Sequence, residues 1–545
     1  MLCKEIREKI IQYPNYGAGN FIHVASEVVP DPNAPYYIQY ITEPWLKSER
    51  GLPATLSLND IRRLSLYIGE WYRRRNICSQ DLIGIYLRGN IDYYWHYLGL
   101  NNIGAIPVLV NGQLPEITAA EFFADVGVRL VVTDADRLET VKRYLGNGAN
   151  VTSPPSLEDS FYSSNRDFVD LYQHRPDDIV VICHTSGTTG TPKPVAYRHK
   201  SMCYGVDQFL MDPPEFVSTP VKEGTCKILS LLPNAHHSSL TYFMRATLAQ
   251  ISFMVVETAT EATIKDAITR FKPSVVISFP YRYVSLSSEK LNTSQHSFDS
   301  IAWWVSIGDA AHQKHINSLI RYGYSFRNGM FEPGSTFIDC LASSEMGSAL
   351  FRVLHTSDSA HQLRYIGEPL EWVDVEILSD NGSPVKTGEV GMLAVRAPTV
   401  ASYWQKKCFD KKFWFNDYLL TGDLVYRDAA GSFFHVDRTC DAIKTRTGIL
   451  YSVLAEEVLL DHFEEIDDCV VVGVPEYSTE YATPVVFFIF FEQPPHADLV
   501  LLRAHINQLF AARNIPKIGE VRFAKMSDMP IGPTGKVRKC LLREK

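Results

Sequence analysis

The sequence predicts an α/β protein of more than one domain, and three observations carry that prediction. Short apolar runs alternate with amphipathic helical patterns through the first 350 residues or so, which is the signature of parallel sheets covered by helices on both faces. After about residue 365 the texture changes to short alternating runs punctuated by Gly, Asp and Asn, which predicts a small antiparallel β subdomain. From Arg438 a third texture begins: helix, strand, strand, helix, strand. The boundary is placed at Asp437–Asp441, dividing the chain into residues 1–437 and 438–545.

Each element follows from its pattern. Ile61, Leu64, Ile68 and Trp71 recur at helical spacing, the i, i+3, i+4 rhythm of a helix with one buried face. Leu82–Leu87 reads as a strand, Tyr93–Asn102 as a helix, and Ile106–Val110 and Arg129–Thr133 as further strands. Ile179–Cys183, Lys227–Leu232, Ile251–Glu257, Val275–Phe279 and Trp303–Ile307 repeat the strand theme, with a helix over Ala262–Phe271 between two of them. The β subdomain is predicted from Val373–Leu378, Val390–Val395, Tyr418–Val425 and Ser432–Val436. In the last segment Val485–Phe491, rich in Phe and Val, reads as a buried strand. It is far short of the ~20 residues of a membrane-spanning helix.

Composition narrows the function classes. Of 545 residues, 46% are hydrophobic and 21% charged, an ordinary globular balance able to bury a sizeable core. Lys and Arg number 53 against 62 Asp and Glu, a formal net charge of −9 without long basic runs. Such a chain is a poor general binder of nucleic acid or of a membrane surface. The 10 cysteines are scattered without a CxxC pair, so they are read as reduced thiols of a cytoplasmic protein. The N-terminus lacks the apolar core of a secretory signal.

One segment stands out: Ile182-Cys-His-Thr-Ser-Gly-Thr-Thr-Gly-Thr-Pro-Lys-Pro-Val195, directly after an apolar strand. Glycines let backbone N–H groups approach a phosphate, hydroxyls add donors, and Lys193 adds charge. A Ser/Thr/Gly surface loop is the plain alternative. Pro192 stands where a Walker A loop needs its second glycine, which excludes a P-loop kinase.

This loop resembles the signature of the AMP-forming adenylate-forming enzymes: acyl- and aryl-CoA synthetases, peptide-synthetase adenylation domains and luciferases. Four more motifs occur in that family's order: Leu341-Ala-Ser-Ser-Glu345, Leu420-Thr-Gly-Asp423, Asp437-Arg438 through Lys444, and Pro533-Thr-Gly-Lys536-Val-Arg538. The resemblance runs from about residue 55 to the C-terminus. It implies a large N-terminal domain of two α/β layers plus a small β subdomain, binding ATP and the acid, and a mobile C-terminal α+β domain that closes over the site. It assigns the loop of Thr185, Ser186, Gly187, Thr188, Thr189, Gly190 and Lys193 to the β- and γ-phosphates of ATP. It assigns Glu345 to Mg²⁺, Ser344 to the nucleotide side of the same motif, Asp339 to the adenine amino group, Asp423 to the ribose hydroxyls and Arg438 to ribose and phosphate. Lys536 would bridge the α-phosphate and the attacking carboxylate. Plain alternatives stand beside these: Ser343, Ser344 and Glu345 would also suit a helix start, the Thr-Gly-Asp an ordinary turn, and Lys536 a solvated lysine in a basic tail.

The chain departs from the family pattern in three places. Leu341 replaces the usual aromatic beside adenine. Cys440 stands where the hinge residue is usually Asp or Lys, with Asp441 next. Lys444-Thr-Arg-Thr-Gly448 carries an extra residue before its glycine. The last two bear on the rotation toward a second, thioester-forming conformation.

Leu232-Pro-Asn-Ala-His236-His237 resembles the family's substrate segment, with His236 as gate and catalytic partner and His237 as reader. Members activating α-amino acids put an Asp at the second position. His237 therefore points to an aryl or other non-amino carboxylic acid, whose ring hydroxyl or second carboxylate a histidine can hydrogen-bond. Tyr242, Gly308 and Ser343 are further pocket candidates. The implied activity is ATP-dependent conversion of a carboxylic acid to an acyl-AMP with release of pyrophosphate. Transfer would follow to the thiol of CoA or to the phosphopantetheine of a separate carrier protein, since no carrier domain follows Lys536. The alternatives are direct transfer to an amine and a non-catalytic nucleotide-binding relative.

Overall fold

The computed structural model describes residues 1–40, 54–88, 91–146, 148–157, 170–185, 192–256, 260–287, 298–359, 362–404, 413–532 and 535–543. Its larger part is built on two extended sheets. In the first, the parallel strands Pro35–Tyr40, Ser252–Val256, Lys227–Ser230, Val275–Ser278, Trp303–Ile307 and Thr336–Ala342 lie side by side in that order. In the second, Val151–Thr152, Leu130–Thr133, Leu82–Tyr86, Ile106–Leu109 and Ile179–His184 are parallel, and Pro194–Arg198 and Ser402–Tyr403 continue the sheet antiparallel. Strands buried on both faces read as continuous apolar runs, which is why the sequence marked them so closely.

Between the sheets lie helices that are apolar nearly all round. Every residue of Tyr93–Asn102 is buried, and so is most of the helix His237–Ala249. They meet where Tyr94 stacks on Phe243, ring centroids 4.3 Å apart. A helix covered on all sides belongs between two layers. Ser57 starts the helix Leu58–Arg73 through a reciprocal capping box with Asp60. Ile61, Leu64 and Ile68 face its core as the spacing predicts, but Tyr72 is buried where Trp71 was expected. Trp71 lies on the rim with the Arg75 guanidinium 3.7 Å above its ring.

The four strands expected in a small β unit are Asp374–Leu378, Gly391–Arg396, Tyr418–Arg427 and Phe433–Arg438, all antiparallel. They continue the first large sheet. Thr336–Ala342 pairs parallel with Trp303–Ile307 on one side and antiparallel with Ala349–His355 on the other. Tyr365–Pro369 then joins that strand to Phe433–Arg438. The backbone donors and acceptors at the parallel sheet's edge are thereby satisfied, as buried edges require.

The C-terminal segment forms a smaller α+β domain. Asp468–Pro475 and Ala482–Phe490 pair antiparallel, Glu520–Lys525 adds in parallel, and the helices Ser452–His462 and Leu499–Ala511 pack on them. Val485–Phe490 is buried throughout, as its composition predicts, whereas Phe491, expected to end the strand, lies outside it and is exposed. Among the described residues no helix is long and apolar enough to cross a membrane, and the described cysteines form no disulfide.

Candidate active site

The predicted residues converge. Thr185, Lys193, His236, His237, Tyr242, Gly308, Asp339, Ser343, Ser344, Glu345, Asp423, Arg438 and Lys536 all line one cavity of about 440 Å³ between the two large sheets' C-terminal edges and the smaller domain. Ser186, Gly187, Thr188, Thr189 and Gly190 lie outside the described residues. The described Thr185 and Lys193 bond each other: the Thr185 N–H donates to the Lys193 carbonyl at 3.0 Å, and the Lys193 N–H donates to Thr185 Oγ1 at 3.2 Å. The Lys193 ammonium lies 4.7 Å from the Phe413 ring centroid.

Glu345 sits on a turn after the strand Thr336–Ala342, not at a helix start. The Ser343 hydroxyl accepts the Met346 N–H at 3.2 Å and is committed to that turn. Tyr403 donates its hydroxyl to Glu345 Oε1 at 2.6 Å, and Tyr197 donates to the Ser344 carbonyl at 2.8 Å. The Glu345 carboxylate is thus held from behind and presented to the cavity.

Asp423 and Arg438 are direct cross-strand neighbours, so sheet register alone sets their pairing. Arg438 Nε is 3.3 Å and His435 Nε2 3.4 Å from Asp423 Oδ1. Burial alone would raise the Asp423 carboxyl, but the guanidinium, with His435 beside it, outweighs burial and holds it at about 2. Asp339 is the opposite case. Burial pushes its carboxyl up to about 7, against a smaller pull from Arg364, and its Oδ1 is buried without a partner.

Lys536 arrives from the C-terminal domain. Its ammonium lies 3.6 Å from Asp309 Oδ1. Gly535, at φ +80°, lies so close to Tyr281 that a Cβ there would fall 1.8 Å from the ring. Gly308 makes a similar close approach: φ is +85°, and a Cβ would meet the Phe279 ring at 2.8 Å. His236 caps the helix His237–Ala249, its Nδ1 accepting the Ser238 N–H at 3.2 Å. Burial holds its imidazole at about 3, with His184 and Lys536 adding to the effect. The ring is therefore neutral, and its proton belongs on Nε2. His237 stacks on Tyr197 at 4.0 Å, with Nε2 buried and unpartnered.

Cys440 is exposed, and its neighbour Asp441 is paired with Arg543 at 2.9 Å. Thr445 to Gly448 close a tight hairpin between Ile443–Thr445 and Gly448–Leu450. Sequence reasoning missed Tyr403, His435, Arg364, Asp309 and Arg245. Of these only Arg245 left a local signal: it lies eight residues after His237, on the same helical face.

A family model described as AMP-binding enzyme matches residues 27–404. The chain belongs to the AMP-binding enzyme family. Within and beyond that family match, the chain is 27% identical to a 3-aminoavenalumate diazotase of Streptomyces sp, covering 100% of this chain and 98% of the relative. It is 22% identical to a 4-hydroxybenzoate–CoA/benzoate–CoA ligase of Rhodopseudomonas palustris, covering 90% and 89%. Among solved structures, an anthranilate CoA ligase in complex with anthranoyl-AMP superposes with a TM-score of 0.79 at 18% identity, over 98% of each chain. The O-succinylbenzoate CoA synthetase of Bacillus subtilis in complex with ATP and magnesium gives 0.75 at 18%, over 96% and 99%. These two likenesses establish the fold: two α/β layers, a β subdomain and a smaller C-terminal domain.

Proposed function

We propose that this AMP-forming ligase activates an aryl carboxylic acid with ATP, releasing pyrophosphate, and passes the acyl group to the thiol of CoA or of a carrier protein's phosphopantetheine. The observation that carries the reading is convergence. Glu345, Asp423, Arg438 and Lys536, drawn from four motifs far apart in the chain, line the same cavity.

Both reactants are anions, so the site must offset charge and align them in line. Asp423, ionised and held by Arg438, accepts two hydrogen bonds from a vicinal diol such as ribose. Lys536 supplies positive charge where the acid meets the α-phosphorus. Neutral His236, at the helix N-cap, offers its Nε2–H beside that point. Mg²⁺ binds through one or two carboxylates plus substrate phosphates. Glu345 would hold it, and the ion would offset the charge of the departing pyrophosphate. The unit 438–545, which carries Lys536, acts as the lid that keeps water from the mixed anhydride.

ATP–pyrophosphate exchange on the purified protein, across pools of aryl, fatty and amino acids, tests this. Exchange with an aryl pool that disappears in Lys536→Ala is the expected result, and exchange with α-amino acids alone would sink the reading of His237. The full-length match to a diazotase favours a second reading, in which ATP activates nitrite instead of a carboxylic acid, an arylamine attacks the nitrosyl nitrogen as AMP leaves, and loss of water gives the diazonium. Incubation with ATP, nitrite and 3-aminobenzoate, with the product trapped by azo coupling, distinguishes it: a coloured adduct formed only with ATP would displace the thiol acceptor.

A further inference from the structure

The helix His237–Ala249 presents His237, Thr241 and Arg245 to the cavity at i, i+4 and i+8, a spacing that stacks them on one face over two turns. Arg245 is electrostatically unusual. Its guanidinium lies 4.9 Å from the Tyr242 ring centroid and 5.5 Å from that of Phe209. One Nη donates to the Gly205 carbonyl at 3.2 Å, and Nε is buried without a partner. The acidic groups acting on it are the Tyr242 hydroxyl and the Cys340 thiol, both of which burial keeps protonated. Among the described residues no carboxylate pairs with it. The contrast within this molecule is direct: buried Arg364 is paired with Glu457 at 3.2 Å, and Arg438 with Asp423 at 3.3 Å.

A guanidinium has five donors and keeps its charge in a protein. Desolvating one without a counter-charge is costly unless an anion arrives to complete it. Aromatic and apolar residues, Phe279, Tyr283 and Ile307 among them, line the same cavity. His236, which feels the Lys536 charge, marks the reacting end. Arg245 lies nine residues along the helix, about 13 Å of rise, and a helical side chain leans back toward the N-terminus. The span left suits one ring between two anionic ends.

We infer that Arg245 reads a second anionic group on the acid, so that the substrate is an aryl acid carrying a further carboxylate or equivalent anion on its ring. Neutral His237, with Nε2 unpartnered in the same wall, supplies a hydrogen bond beside it. The assignment deepens the proposed aryl-acid activation and rests on it for the identity of the reacting end.

Two readouts on the full chain separate the claims, using benzoate, 1,3-benzenedicarboxylate and 1,4-benzenedicarboxylate as probes. One is ATP–pyrophosphate exchange, and the other is calorimetric binding, which needs no turnover. The protein should prefer at least one diacid over benzoate by about tenfold or more in KM and in Kd, the effect of one desolvated charge pair. Arg245→Met should collapse that ratio to within about threefold, and Arg245→Lys, which keeps the charge, should retain part of it. Melting temperatures of both variants report whether they fold. Equal binding of all three acids by the unaltered protein, or a diacid preference that survives Arg245→Met, would overturn the assignment. Arg245-dependent diacid binding without exchange would sink the activation reading and leave this one standing. Exchange with benzoate and no diacid preference would do the reverse.

Discussion

At the scale of single residues, the cavity sets two carboxyls of the same type to opposite charge states. Asp423 is ionised because Arg438 and His435 outweigh its burial, whereas Asp339 keeps its proton to about pH 7 because burial dominates there. Asp339 thus holds a proton in the folded state that the unfolded chain releases near pH 4, so its contribution to stability falls as pH rises from about 4 through 7. Asp339→Asn removes that loss. Its melting temperature should match the parent near pH 4 and exceed it at pH 8, by an amount equivalent to on the order of 1–3 kcal/mol. Thermal melts across this range check the sign; a gap that shrinks as pH rises would contradict it. Lys536 is partly exposed and only loosely tied to Asp309, so its removal costs little in folding. Lys536→Ala should lower adenylation by about 10²–10³-fold, the loss of one preorganised charge at the transition state. Binding of ATP, measured by calorimetry, should persist.

Between elements, the helix Gln313–Ile320 and the helix Ser452–His462 are joined by a buried clasp. His312 Nδ1 is 2.8 Å from Glu457 Oε2, Arg364 pairs with the same oxygen, and the Gln313 N–H donates to Glu457 Oε1 at 2.8 Å. Lys314 adds three bonds to the carbonyls of Phe463, Glu464 and Ile466. Burial would lower the His312 imidazole, but Glu457 outweighs it and raises it. A histidine raised in this way stabilises fully below about pH 6.5 and loses its contribution as pH rises through its folded value. Glu457 is held far below its usual range despite burial, so its contribution is lost only in strong acid. Glu456, His315 and Asp468 also face the pair, and none reverses the sign. The parent's lead in melting temperature over His312→Gln should therefore be larger at pH 6 than at pH 8.5. A lead that does not change with pH would place the titration elsewhere.

For the whole molecule, the proposed function makes adenylation and thioester formation two arrangements of one chain. On that proposal the Gly535–Tyr281 contact belongs to the adenylating one, since a Cβ at Gly535 would fall 1.8 Å from the Tyr281 ring. Gly535→Ala should push that loop away and lower pyrophosphate exchange by about 10²-fold, the cost of roughly an ångström of misplacement. Thioester formation from chemically prepared acyl-adenylate should fall much less. Equal losses in both half-reactions would show that the contact is not specific to adenylation. Much of this architecture was legible from the chain. Buried parallel strands are continuous apolar runs, and each nucleotide motif packs its chemistry into a few adjacent residues, so strand order and motif order could be read together. Trp71 was misplaced by one position because the helical spacing fits Trp71 and Tyr72 almost equally, and only packing selects the ring that enters the core.

The sequence by itself determined the α/β layering, the change of texture into β and then α+β structure, and the order of five family motifs. These depend on backbone preference and side-chain type within short windows. Tertiary structure alone decided which charges meet. Tyr403 stands 58 residues from the Glu345 it supports, Arg364 stands 93 from Glu457, and Lys536 reaches Asp309 from another domain. The state of Arg245 is the clearest case. Among the described residues no carboxylate pairs with it, and a missing counter-charge is a property of the space around a side chain, which no local window of sequence contains.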